Sequence, residues 1–203
     1  MCQDCFATLE IQTVHKKFCG KNLDDLYFPI DYQKFLIKKL IQFFKYPPLI
    51  KELAKDLSQI IVSHFLLLEE KANFSDFLIL PIPLSKKKLK WRGFNQSEEI
   101  AKELANFFKI PLISNCLVKK KETEDQVNLG EKERKENVKG AFLVLEREKI
   151  FKKKILLVDD VFTTGSTMEE AARVLKEAGA KIVIGIVVAR AKPGTDKPEL
   201  TIG

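Results

Sequence analysis

At 203 residues, 45% of them hydrophobic, the chain has apolar material for one substantial core or for a main domain carrying a small extra module, and the second is expected. A formal net charge of +7, with 31% charged residues, favours polyanionic partners: nucleotides, phosphorylated sugars, nucleic acid or an anionic membrane surface. Apolar stretches such as 60–68, broken by Ser63 and His64, are too short to span a bilayer, and Cys2, Asp4 and Cys5 stand where a secretory leader needs basic and then apolar residues, so a soluble, cytoplasmic protein is expected.

Residues 1–33 show no regular period. Cys2 and Cys5 form a CxxC pair, His15 and Cys19 follow, and Pro29 precedes Tyr32. This stretch is expected to be a small N-terminal module, with 34–203 as the main domain. Two amphipathic helices come next. The first, over 35–46, groups Leu36, Leu40, Ile41, Phe43 and Phe44; the second, after Pro47 and Pro48, repeats Ile50, Leu53, Leu57, Ile60, Ile61 and His64 at helical spacing. His64 on that apolar face reads as a core or boundary histidine. FLILPIP is a short buried strand stopped by two prolines, and SKKKLKWRGFNQ behind it reads as a strongly basic loop with Trp91 packed beneath. Asn95 with Glu98 is a capping box for a helix burying Ile100, Leu104, Phe107 and Phe108. Pro111 ends it, and 112–118 reads as a strand with Cys116 in the core.

Residues 119–140 are so rich in Lys, Glu, Asn and Gln, punctuated by Gly130 and Gly140, that an exposed, mobile excursion is expected. Then come a short strand over 141–145, a buried strand over 155–158, a helix over 168–178, an apolar strand over 182–189, and a polar tail expected to fray. Strand, helix and strand at this spacing predict a right-handed βαβ unit, and so a parallel sheet covered by helices on both faces.

In such sheets ligands gather at the carboxyl ends of strands. Asp159 and Asp160 lie at one, and Thr163, Thr164, Gly165, Ser166 and Thr167 lead from them into a helix. The N–H groups and positive dipole end of that helix suit a phosphate, glycine allows close approach of the backbone, and the hydroxyls add donors. Two acids would repel the phosphate, so they suit sugar hydroxyls or a Mg²⁺ that offsets the charge. A bare acid pair would fit an ordinary turn with Thr167 as the cap; the whole string is more restrictive. VDDVFTTGST closely resembles the ribose-5-phosphate signature of type I phosphoribosyltransferases, which bind 5-phosphoribosyl pyrophosphate (PRPP). The resemblance implies that Asp159 and Asp160 serve the ribose hydroxyls as the catalytic acids, and that residues 163–167 bind the 5-phosphate. The pyrophosphate would need cations, which Lys86, Lys87, Lys88, Lys90 and Arg92 can supply. Arg92 is preferred for its fork of donors, with Lys90 beside it.

PIPLSKKKLKWRGFNQS, Gln126, NLGEKERKENVKGAF and the acid loop occur in the order and spacing of ComF-type proteins, so the stretch 74–191 resembles that family. The likeness implies a type I phosphoribosyltransferase-like α/β fold with a small cysteine-containing N-terminal module. It also implies PRPP with Mg²⁺ as ligand, a cytoplasmic place, peripheral at the inner membrane, and handling of single-stranded DNA with competence-machinery proteins during natural transformation. ComF-like proteins usually carry an N-terminal zinc ribbon. Here Lys16 stands where a cysteine is expected, and Cys2, Cys5, His15 and Cys19 would be the Zn²⁺ ligands. Three functions stay open at this point: a phosphoribosyltransferase with an unidentified acceptor, a PRPP-binding module in DNA handling, and a nucleotide-salvage enzyme.

Overall fold

The computed structural model describes residues 2–121 and 131–191. Its elements are α1 (Gln3–Ala7), β1 (Asp25–Tyr27), β2 (Ile30–Asp31), α2 (Phe35–Lys45), α3 (Leu53–Leu67), β3 (Phe77–Pro81), α4 (Lys86–Arg92) and α5 (Gln96–Phe108). They continue with β4 (Leu117–Lys119), α6 (Glu131–Val138), β5 (Phe142–Val144), α7 (Arg147–Ile150), β6 (Lys154–Phe162), α8 (Ser166–Glu177) and β7 (Ile182–Arg190).

Five strands make one parallel sheet in the order β1-β7-β6-β3, with β2 also on β7, beyond β1. β4 and β5 form a separate antiparallel pair. The run ILLV in β6 is continuously apolar because helices cover both faces. Leu156 and Val158 join Ile37, Ile41, Leu57, Ile61, Ile100 and Leu104 of α2, α3 and α5 in one cluster. Ile155 and Leu157, pointing the other way along the pleat, join Met168, Ala171, Ala172 and Leu175 of α8 and Leu117 and Phe142 of the small sheet in a second. His64 is 1% exposed and its Nδ1 bonds the carbonyl of Gln12 at 2.6 Å, so it is a core histidine. Cys116 is buried as expected.

Several expectations are revised. SKKKLKWRGFNQ is not a loop: α4 starts on the Ser85 side chain, which accepts from Lys88 N–H, and stops at Gly93 in the left-handed region (φ 79°). No residue of α4 is buried, so it has no apolar stripe for a periodicity reading to find. Trp91 is not buried under this segment but is 54% exposed, its ring edge-on to that of Tyr46. The strand expected over 112–118 is reduced to β4, with Leu112 making an isolated parallel bridge to Ile79 of β3. Residues 131–138 of the expected excursion are helical, while 122–130, Gln126 included, and the tail 192–203 lie outside the described residues. The last part of the N-terminal stretch, β1 and β2, pairs with β7 and belongs to the main sheet.

Candidate functional site at the carboxyl ends of β6 and β7

β3 follows β6 only as far as the Pro81–Val158 pairing, and β6 runs on to Phe162 with β7 alone beside it. Asp159 and Asp160 lie just past that point, where the sheet opens on one side. Asp160 is 5% exposed and its Oδ1 is 2.8 Å from Lys45 Nζ, in the last turn of α2. Asp159 Oδ1 accepts from the Ser97 hydroxyl at 2.8 Å and from Asp160 N–H at 2.9 Å. Burial, and then the negative charge of Asp160, push the Asp159 carboxyl from the ordinary 3.8 up to about 7, against the pull of Lys45 and Ser97. Burial disfavours the Lys45 charge, but the two carboxylates outweigh it and hold the ammonium above its ordinary value.

Beyond Phe162 the chain turns through Thr163–Thr164–Gly165 into α8. Gly165 sits at φ 76°, and a Cβ there would fall 2.3 Å from the Phe162 ring, so both backbone conformation and space demand glycine. Thr164 Oγ1 and Ser166 Oγ are 2.8 Å apart, and Ser166 N–H reaches Thr164 Oγ1 at 3.4 Å, so the loop hydroxyls converge at the start of the helix. Thr167 follows in the first turn. The predicted acids and hydroxyl loop are thus contiguous.

Arg92 reaches the same region through neighbours. Its Nη1 donates to Gln96 Oε1 at 3.0 Å, and Gln96 Nε2 donates to the Phe44 carbonyl at 2.9 Å, immediately before Lys45. Its guanidinium lies 5.6 Å from the Tyr46 ring centroid and 5.8 Å from that of Trp91, while its buried Nε has no partner among the described residues. Lys90 is exposed one residue before the indole. A cavity of about 600 Å³ opens at the carboxyl end of β7, lined among others by Gln12, Phe28, Asp31 and Arg190. The Arg190 guanidinium lies 5.1, 5.3 and 5.7 Å from the rings of Phe18, Phe28 and Phe162, which puts this cavity one ring away from the Gly165 turn.

The expected zinc ligands are not gathered. Cys5 N–H reaches Cys2 Sγ at 3.4 Å, but His15 Nε2 is 2.9 Å from Asp25 Oδ2 and its ring stacks on Tyr27 at 3.9 Å. Among the described residues no three His, Cys, Asp or Glu side chains meet as a metal would require, so Cys2, Cys5, His15 and Cys19 do not fit Zn²⁺ in this arrangement. Lys45 and Ser97 contact the acid pair directly, and Gln96 holds the backbone beside Lys45, yet none of the three was singled out from the sequence. Gln96 and Ser97 close the quoted run PIPLSKKKLKWRGFNQS, which was a signal; Lys45 had none, being one of many lysines.

The Phosphoribosyl transferase domain model matches residues 94–202, over half of the chain. The chain belongs to the phosphoribosyl transferase domain family. Its match takes in α5, with Ser97, and the whole β6–α8–β7 unit, but leaves α2 and Lys45 outside. This phosphoribosyl transferase domain protein is 35% identical over 104 residues to "Competence protein F" of Haemophilus influenzae, an alignment covering 51% of this chain and 45% of that protein. It is 34% identical over 116 residues to "Competence protein ComFC" of Streptococcus pneumoniae, covering 57% and 49%. With "DNA utilization protein YhgH" of Salmonella typhi the identity is 36% over 106 residues, covering 52% and 45%. These alignments take in just under half the length of each of the three relatives. No helix among the described residues is long and apolar enough to cross a membrane.

Proposed function

We propose that this chain binds PRPP at the carboxyl ends of β6 and β7 and serves in the cytoplasmic handling of single-stranded DNA during natural transformation, together with competence-machinery proteins. In this reading Asp159 and Asp160 accept hydrogen bonds from the ribose hydroxyls. Thr163, Thr164, Gly165, Ser166 and Thr167 take the 5-phosphate on backbone N–H groups and hydroxyls. Arg92 and Lys90 meet the pyrophosphate. The observation that carries the reading is the junction itself: two carboxylates held at an open strand end, followed at once by a turn in which Gly165 has room for nothing larger, leading into α8.

The acid pair also fits Mg²⁺, since carboxylate oxygens are the hard donors it takes, and a cation would relieve the repulsion from Asp160 that adds to burial in raising Asp159. Asp159 and Asp160 would hold it, and bound Mg²⁺ would offset the charge of the pyrophosphate. The DNA-handling part rests on the names of the relatives and on the net charge of +7. Titration calorimetry with PRPP and Mg²⁺ tests the site: the Asp159→Asn/Asp160→Asn variant is expected to lose binding, and unchanged affinity rejects the assignment. Complementing a deletion strain with that variant in a transformation assay tests the pathway.

The cavity beside Arg190 favours a second reading, an active phosphoribosyltransferase whose acceptor occupies that space. The bond from the anomeric carbon to the pyrophosphate oxygen would break with its electron pair on the leaving group, and the acceptor nitrogen would form the new bond to that carbon with its lone pair, its proton passing to the released pyrophosphate or to solvent. Pyrophosphate release with candidate bases or amines decides between them: turnover supports the enzyme, and tight binding without turnover supports the binding module.

A further inference from the structure

Lys45, which forms an ion pair with Asp160, comes from outside the family-matched stretch. Its side chain is 25% exposed and that of Asp160 is 7% exposed, with Nζ and Oδ1 2.8 Å apart. Taking two charges largely out of water is costly, and an ion pair at such a place is weak ground for stability. The surroundings nevertheless hold the lysine in position. The carbonyl of Phe44, the preceding residue, accepts from Gln96, which is 1% exposed, and Gln96 in turn accepts from Arg92. Tyr46, the following residue, lies against the same guanidinium. The ends of α2 and α4 and the start of α5 therefore converge to set one ammonium against one carboxylate oxygen.

We propose that Lys45 is a positioning residue of the sugar site: it commits Oδ1 of Asp160, turns Oδ2 toward the ligand, and stands in for part of the positive charge that the acid pair otherwise draws from a divalent cation. The inference rests on the PRPP reading given above. Whatever the protonation state of Asp159, Lys45 makes the charge gathered at the acid pair one unit less negative than it is without it. A lysine that only supported the fold would, on removal, weaken every ligand of the site. A lysine that shares the acids with the cation makes the two ligands diverge, since the cation gains a bare acid pair while the anionic sugar loses a counter-charge and an oriented acceptor.

The test uses the full chain with Lys45→Met and Lys45→Arg, Mn²⁺ followed by electron paramagnetic resonance, and PRPP binding at saturating Mg²⁺ by calorimetry. In Lys45→Met, Mn²⁺ alone is expected to bind about tenfold tighter and PRPP about tenfold weaker, the size of one lost charge contact at high effective dielectric. Lys45→Arg should recover most of the PRPP affinity. In Lys45→Met/Asp160→Asn the gain in Mn²⁺ affinity should vanish, because Lys45 acts through Asp160. Unchanged Mn²⁺ affinity, or the same weakening of both ligands, overturns the proposal. If the wild-type chain binds no PRPP, the PRPP reading fails on its own, and the Mn²⁺ arm still decides whether Lys45 shares the acids with the cation. Should Lys45→Met not fold, Lys45→Gln takes its place with the same expectations.

Discussion

Asp159 is a buried carboxyl whose surroundings work against its charge. Its carboxyl is raised from 3.8 to about 7 by burial and by Asp160, so between those values the folded chain keeps a proton that the unfolded chain has released. The folded state binds more protons across that window, and stability must fall as pH rises from about 4 to about 7. Asp159→Asn is neutral at every pH and removes this slope. Thermal melts should show the variant melting above the wild type at pH 8, with the gap closing as pH falls toward 4. A gap independent of pH between 5 and 8 would refute the assignment of the raised carboxyl.

Among the elements, α5 ties local chain chemistry to the site. Asn95 caps it, accepting from Ser97 N–H at 3.2 Å, while its own Nδ2 donates to the Ile82 carbonyl at 3.0 Å, where the chain leaves β3. One side chain thus starts the helix, anchors the strand exit and places the Ser97 hydroxyl that reaches Asp159. Losing the cap and stranding a buried carbonyl should cost about 2 kcal/mol in Asn95→Ala, a fall in melting temperature of roughly 4–8 °C for a chain this long. The same substitution should weaken PRPP binding through Ser97; a variant that is destabilised yet binds normally would separate the cap from the site. The α4 helix makes the opposite case. KKKLKWR has good intrinsic helix formers but no buried face, so only its cap and its glycine stop mark it as helical.

For the molecule as a whole, charge and attachment are the properties to test. The N-terminal stretch is fastened to the main domain by backbone as well as side chains: the Glu169 carboxylate, in the first turn of α8, accepts from Lys21 N–H at 3.1 Å and from Asn22 N–H at 2.7 Å. The net charge of +7 is expressed in part along α4, where Lys86, Lys87 and Lys90 are exposed. If that face meets the phosphates of a single strand, replacing these three by Ala should reduce the slope of log affinity against log salt by about 2. An unchanged slope would mean that the strand follows another path.

By itself the sequence determined the α/β class, the two-sided cover of the sheet and the place of the acid and hydroxyl loop. Those features are written in local order, as an apolar run of strand length, two acids followed by one glycine among hydroxyls, and helical spacing in 168–178. Only the tertiary structure decided which of the many lysines faces Asp160, that Ser97 reaches Asp159, and that His15 turns to Asp25 and Tyr27 instead of joining the cysteines. The reason is distance along the chain. Lys45 and Asp160 are brought together by α2 packing across the sheet on shared apolar faces, and nothing local distinguishes a lysine that will be drawn inward from one that will stay in water.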